Sequence, residues 1–64
     1  MKVRDVIRLL TKDGWVQESQ KGSHRQFSHP SKPGKVTVPG KISDDLPIAT
    51  LKSILRQAGI QEGE

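Results

Sequence analysis

The chain has no cysteine, so neither a disulfide framework nor a thiolate zinc site is open to it. Its two histidines, His24 and His29, stand among scattered carboxylates without metal-ligand spacing, and no metal or cofactor is expected. No apolar run approaches the roughly 18 residues needed to cross a bilayer. The N-terminus, Met1-Lys2-Val3-Arg4-Asp5, interrupts its apolar positions with charge, unlike the core of a secretory signal. The expectation is a soluble, cytoplasmic chain, complete as written, with no membrane partner. Aromatic side chains are nearly absent, Trp15 and Phe27 being the only two. Single-strand readers that stack bases on rings need exposed aromatics, and a core would claim both of these. Any nucleic acid would therefore be recognised through its backbone and shape.

Positive charge is what the chain has in excess. Eleven Lys and Arg against seven Asp and Glu leave a net +4, which points to an anionic partner: RNA, DNA or an acidic protein. Only 31% of the 64 residues are hydrophobic. One domain of that size sits near the lower limit of independent stability, modest by itself or completed by a partner.

Val3, Val6, Ile7 and Leu10 follow the i, i+3, i+4, i+7 spacing of an amphipathic helix. Gly14 suits the left-handed position that closes it, with Trp15 folding back on the last apolar turn. Trp15 to Gln20 reads as a weak strand. Lys21-Gly22 forms a hairpin turn, and Ser23 to Ser28 forms a second strand. His29-Pro30-Ser31-Lys32-Pro33-Gly34 is a loop dense in turn formers. Lys35 to Val38 is a third strand, ended by Pro39-Gly40. A second helix starts near Pro47, with Asp44 and Asp45 placed to favour its dipole. Leu51, Ile54, Leu55 and Ala58 repeat the helical spacing, and Gly59-Ile60 repeats the closing device. Residues 1–60 make one domain and Gln61 to Glu64 a frayed tail. The fold class is α+β: three antiparallel strands with both helices on one face, the other face left open.

The run Lys21-Gly22-Ser23-His24-Arg25-Gln26-Phe27 carries the chemistry. A histidine ring can accept a proton near neutral pH, and flanking cations favour a phosphate-bearing substrate. Strand side chains alternate, so His24, Gln26 and Ser28 share one side while Ser23, Arg25 and Phe27 share the other. If Phe27 anchors the core, His24 faces the open side. His29, an odd five residues on, would then face away, and its position before a proline suits capping or solvation of the loop. Lys21, Arg25, Lys35 and Lys41 are candidates for holding phosphates through charge-assisted hydrogen bonds. Ser23 can orient the imidazole or touch a phosphate, but as a nucleophile it lacks a third triad member.

Four blocks in order resemble the HicA family of small bacterial and archaeal toxins. They are Asp13-Gly14-Trp15, Lys21-Gly22-Ser23-His24, Val36-Thr37-Val38-Pro39 and Thr50-Leu51-Lys52-Ser53-Ile54-Leu55-Arg56-Gln57-Ala58-Gly59. The resemblance runs from about Lys2 to Ile60. It implies a fold like the double-stranded-RNA-binding domain, α-β-β-β-α, and a ribosome-independent endoribonuclease that cuts mRNA and is held inactive by a HicB antitoxin. It also implies that His24, in the Gly-Ser-His motif with Gly22 and Ser23, is the catalytic histidine. Many relatives have a second histidine after the third strand in a Val-Pro-x-His pattern, where this chain has Lys41. Lysine there brings positive charge but accepts a proton poorly at neutral pH. Two other readings share the fold and charge: a non-catalytic RNA-binding module, and an interaction protein whose basic face docks an acidic partner.

Overall fold

A computed structural model of the protein describes residues 1–60; the expected frayed tail, Gln61 to Glu64, lies outside the described residues. The element order is α1 (Val3–Lys12), β1 (Val16–Lys21), β2 (His24–Ser28), β3 (Val36–Val38) and α2 (Ile48–Ala58). This is the expected α-β-β-β-α, an α+β fold.

The amphipathic spacing of α1 buries Val3, Val6 and Leu10 completely, with Ile7 packed at the margin. Its C-terminus closes by two backbone bonds, Gly14 N–H to the Thr11 carbonyl (3.1 Å) and Trp15 N–H to the Leu10 carbonyl (2.9 Å). Those are the paired bonds of a Schellman motif. They drop the indole of Trp15 into the core, where it is 1% exposed. Trp15 thus belongs to the helix closure, and the strand expected from it begins one residue later, at Val16.

The other end of α1 was not legible in the sequence. Its first two N–H groups donate to carbonyls some forty residues away, Val3 to Asp44 (2.9 Å) and Arg4 to Ile42 (3.1 Å). Local capping chemistry gives no hint of such a partner. The expectation for Asp44 and Asp45 is corrected at the same place. Helix α2 begins only at Ile48, with Pro47 as its cap and no acid in its first turn. The Asp44 carboxylate instead accepts the Lys41 N–H at 3.1 Å, and Asp45 lies 3.9 Å from the Lys2 ammonium. Both acids shape the β3–α2 connection against the start of α1.

The strands form one antiparallel sheet in the order β1-β2-β3. Lys21 pairs with His24 at the hairpin end. Gly22 takes a φ of 61° in the two-residue loop, and no non-glycine residue there has positive φ. That is the glycine-first arrangement of a type II′ turn, whose twist matches the strands it joins. A bulge falls between Gln17 and Ser19, so Glu18 is the extra residue of β1.

Phe27 pairs with Val36 and Arg25 with Val38, and all four are buried. They line the face that receives the buried residues of both helices, including Leu10, Ile54 and Ala58. His24, Gln26 and Thr37 alternate to the other face and are exposed. Both helices therefore cover one side of the sheet and leave the other open. No helix among the described residues is long and apolar enough to cross a membrane.

Candidate functional site

The tight turn at Gly22 brings Lys21 and His24 opposite each other on the open face. Two pairs further from the turn, on the same face, stand Ser19, Gln26 and Thr37, one from each strand. These five side chains line a hollow of about 330 Å³. A second, larger groove of about 610 Å³ also includes His24; it runs past Thr37 and Pro39 to α2, where Thr50, Ser53 and Gln57 form its far wall. His24 and Thr37 are thus the two residues shared by both depressions. Among the described residues no side chain hydrogen-bonds to its ring, so both ring nitrogens are open to a ligand.

The expected phosphate contacts divide. Lys21 is exposed beside His24. Lys35 lines the larger groove, but its ammonium is paired with the carboxylate of Glu18. That pairing, helped by the nearby Ser28 hydroxyl, holds the Glu18 carboxyl below its ordinary range. An incoming phosphate would compete with Glu18 for Lys35. Lys41 is exposed in the loop after β3, two residues beyond Pro39.

Arg25 sits elsewhere. It is 8% exposed and lies on the helix-covered face, with its Nη1 donating to the carbonyls of Gly40 (2.8 Å) and Ser23 (3.2 Å). The expectation that Arg25 joins Lys21 at a phosphate is therefore not what the geometry provides. Strand alternation put Arg25 opposite His24, and a core position followed. Its guanidinium ties the hairpin turn, which presents His24, to the exit of β3, which carries Lys41. Ser23 contributes its carbonyl to this tie. Charge-assisted hydrogen bonds are worth about 1.5–3 kcal/mol each. Arg25→Met, which roughly keeps the volume and removes the donors, should cost about 3 kcal/mol or more, read as a lower urea midpoint at unchanged slope. If RNA is the anionic partner expected from the sequence, the salt dependence of its binding should stay the same, because Arg25 makes no phosphate contact. A shallower salt slope in this variant would return Arg25 to the phosphate site.

His29 is a structural residue, as its position before Pro30 implied. Its Nε2 lies 2.7 Å from the Asp13 carbonyl and must donate to it, while Nδ1 accepts the N–H groups of Ser31 (3.0 Å) and Lys32 (3.2 Å). The ring meets Trp15 edge-on at 5.2 Å. Beside it Lys32 donates to the Asp13 carboxylate at 2.6 Å and holds that acid below its usual range. This cluster staples the β2–β3 loop to the end of α1, on the side of the molecule away from His24.

The blocks that resembled a family now have places: a helix closure, a hairpin turn, an edge strand and a helix with its closing turn. The family model for the HicA toxin of bacterial toxin–antitoxin pairs matches residues 3–60. The chain belongs to the HicA toxin family. A comparison with curated proteins finds no match. Membership makes this HicA protein a toxin of a toxin–antitoxin pair and implies an antitoxin as its partner. The match spans every described element, the hairpin that carries His24 included.

The α2 wall of the larger groove lies outside the site expected from the sequence. Thr50, Ser53 and Gln57 recur at i, i+3 and i+7, a neutral polar stripe beside the apolar one. That spacing was available as a signal, but without the fold nothing connected it to His24.

Proposed function

We propose that this HicA toxin is a metal-independent endoribonuclease that cuts mRNA and so inhibits translation, with His24 as its general base. The observation that carries the reading is the position of His24: exposed on the open sheet face, opposite Lys21, and shared by both depressions. In this mechanism Lys21 holds a non-bridging oxygen of the scissile phosphate. Lys35, released from Glu18, and Lys41 extend the cationic track along the strand. His24 removes the proton from the ribose 2′-hydroxyl. The 2′-oxygen then attacks phosphorus, the bond from phosphorus to the 5′-oxygen breaks, and that oxygen takes a proton from water or a lysine. The products are a 2′,3′-cyclic phosphate and a 5′-hydroxyl. Gly22 and Ser23 shape the turn that presents the base, and Arg25 braces it from behind. A HicB-type antitoxin would neutralise the toxin by covering the same open face, and the encounter would take place in the cytoplasm.

The chemistry is tested with an mRNA fragment in EDTA. The expected result is cleavage leaving 2′,3′-cyclic phosphate ends, and no cleavage where the nucleotide 5′ to the cut is replaced by its 2′-deoxy form. Equal cutting of the 2′-deoxy substrate, or a requirement for added metal, would overturn the mechanism.

A further inference from the structure

Resting on the ribonuclease reading, we propose that the groove between the β3 edge and α2 is the specificity subsite: it holds a single-stranded ribonucleotide next to the cleaved phosphate, and Thr50, Ser53 and Gln57 read it by hydrogen bonding. Three observations lead there. The groove begins at His24, so a strand whose phosphate lies at the imidazole has its neighbouring nucleotide at the groove mouth. Its volume, about 610 Å³, is ample for one nucleotide. Its lining has no carboxylate that would repel a phosphodiester chain, and its rim holds Lys35 on the sheet side.

The character of the far wall decides what is recognised. Helical geometry of 100° per residue puts Thr50, Ser53 and Gln57 within about 60° of arc on one side of α2. Ile54 and Ala58 turn inward beside them. Arg56, three residues after Ser53, flanks the same side and supplies a cation for the backbone. Hydroxyls and a carboxamide are neutral groups that both donate and accept. Unlike lysine or arginine they can also accept hydrogen bonds, which base edges and ribose hydroxyls supply and a phosphodiester does not, and the Gln carboxamide can make a paired donor–acceptor contact with a base. Unpaired RNA exposes those edges, whereas a duplex hides them. Neither Trp15 nor Phe27 is free for stacking, since both are buried. Sequence preference then rests on hydrogen bonding, and this wall brings a second set of neutral hydrogen-bonding groups to the histidine, beside Ser19, Gln26 and Thr37 of the sheet face.

The test has two arms. In the first, Gln57→Ala and Ser53→Ala are compared with the parent protein on a long mRNA, mapping every cut. The expected result is that rates at the preferred sites fall about 10-fold or more relative to the remaining sites, so that the cleavage pattern broadens. An unchanged pattern at unchanged relative rates would overturn the subsite. In the second arm, His24→Ala protein, which keeps its RNA uncut, is titrated by NMR with a mixed-sequence ten-nucleotide single-stranded RNA. The backbone amides of Thr37, Thr50, Ser53 and Gln57 should shift together with those of Lys21 and Gln26. Shifts confined to the sheet face would overturn the subsite and leave the groove to the protein partner. The second arm also separates the two readings. RNA that shifts α2 but is never cut by the parent protein sinks the nuclease and keeps the groove as an RNA site; no shift anywhere sinks both.

Discussion

His24→Ala is expected to lower RNA cleavage by about 10²–10⁴-fold, the usual contribution of a positioned general base, while leaving the fold and most of the RNA affinity in place. The separation follows from where the residue sits. Its side chain is exposed and, among the described residues, makes no hydrogen bond to another side chain. Its loss removes no packing, and surface changes of this kind usually alter stability by less than about 0.5 kcal/mol. The hairpin that presents it is held by Gly22 and by the Arg25 tie, neither of which involves the imidazole. Affinity should fall little, because in the proposed mechanism lysine–phosphate contacts carry much of the binding free energy, and His24→Ala leaves the lysines in place. A selective loss of turnover identifies a group acting in the transition state. The competing readings give different results for the same pair of proteins. A non-catalytic RNA-binding module would bind RNA equally well with either residue and cut it with neither. A protein that only docks an acidic partner would show no RNA affinity. Equal cutting by parent and variant would remove His24 from the mechanism.

How much of this was legible beforehand depends on the range of the interactions. Every element came from local signals: the i, i+3, i+4, i+7 spacing of both helices, the glycine closures and the strand alternation around Phe27. Placing Phe27 in the core was enough to put His24 on the open face. Arg25 shows where charge counting fails. A cation beside the candidate histidine in sequence points the opposite way in a strand, and its carbonyl partners on Ser23 and Gly40 were not readable from composition. The clamp of residues 42–46 on the start of α1 was equally hidden, because it pairs backbone groups far apart in the chain. The Glu18 bulge and its pairing with Lys35 depend on register, which alternation alone does not fix. The groove wall on α2 required both the register and the packing of the helix against β3.

Gly14→Ala is the substitution expected to damage the fold most for the smallest chemical change, a single methyl group. Gly14 has a φ of 103°, a region that residues with a Cβ avoid. Holding alanine there costs about 1–3 kcal/mol. Space is the second, independent problem: an added Cβ would lie 2.7 Å from His29 Nε2. That ring cannot simply swing aside. It is fixed by its bond to the Asp13 carbonyl and by the N–H groups of Ser31 and Lys32, and it rests against Trp15. Displacing it forfeits those bonds at about 1 kcal/mol each and loosens the loop staple. Together the two effects amount to about 4–6 kcal/mol, against a total stability of about 3–10 kcal/mol for a chain this short. Gly14→Ala should therefore be largely unfolded at room temperature, or melt well over 10 °C lower. The double variant Gly14→Ala with His29→Ala separates the causes. Removing the ring removes the collision, so the pair should cost at least about 1 kcal/mol less than the sum of the single changes. Strict additivity would leave backbone strain as the whole effect. A stable Gly14→Ala protein would mean that the closure of α1 is not held against the His29 loop as described.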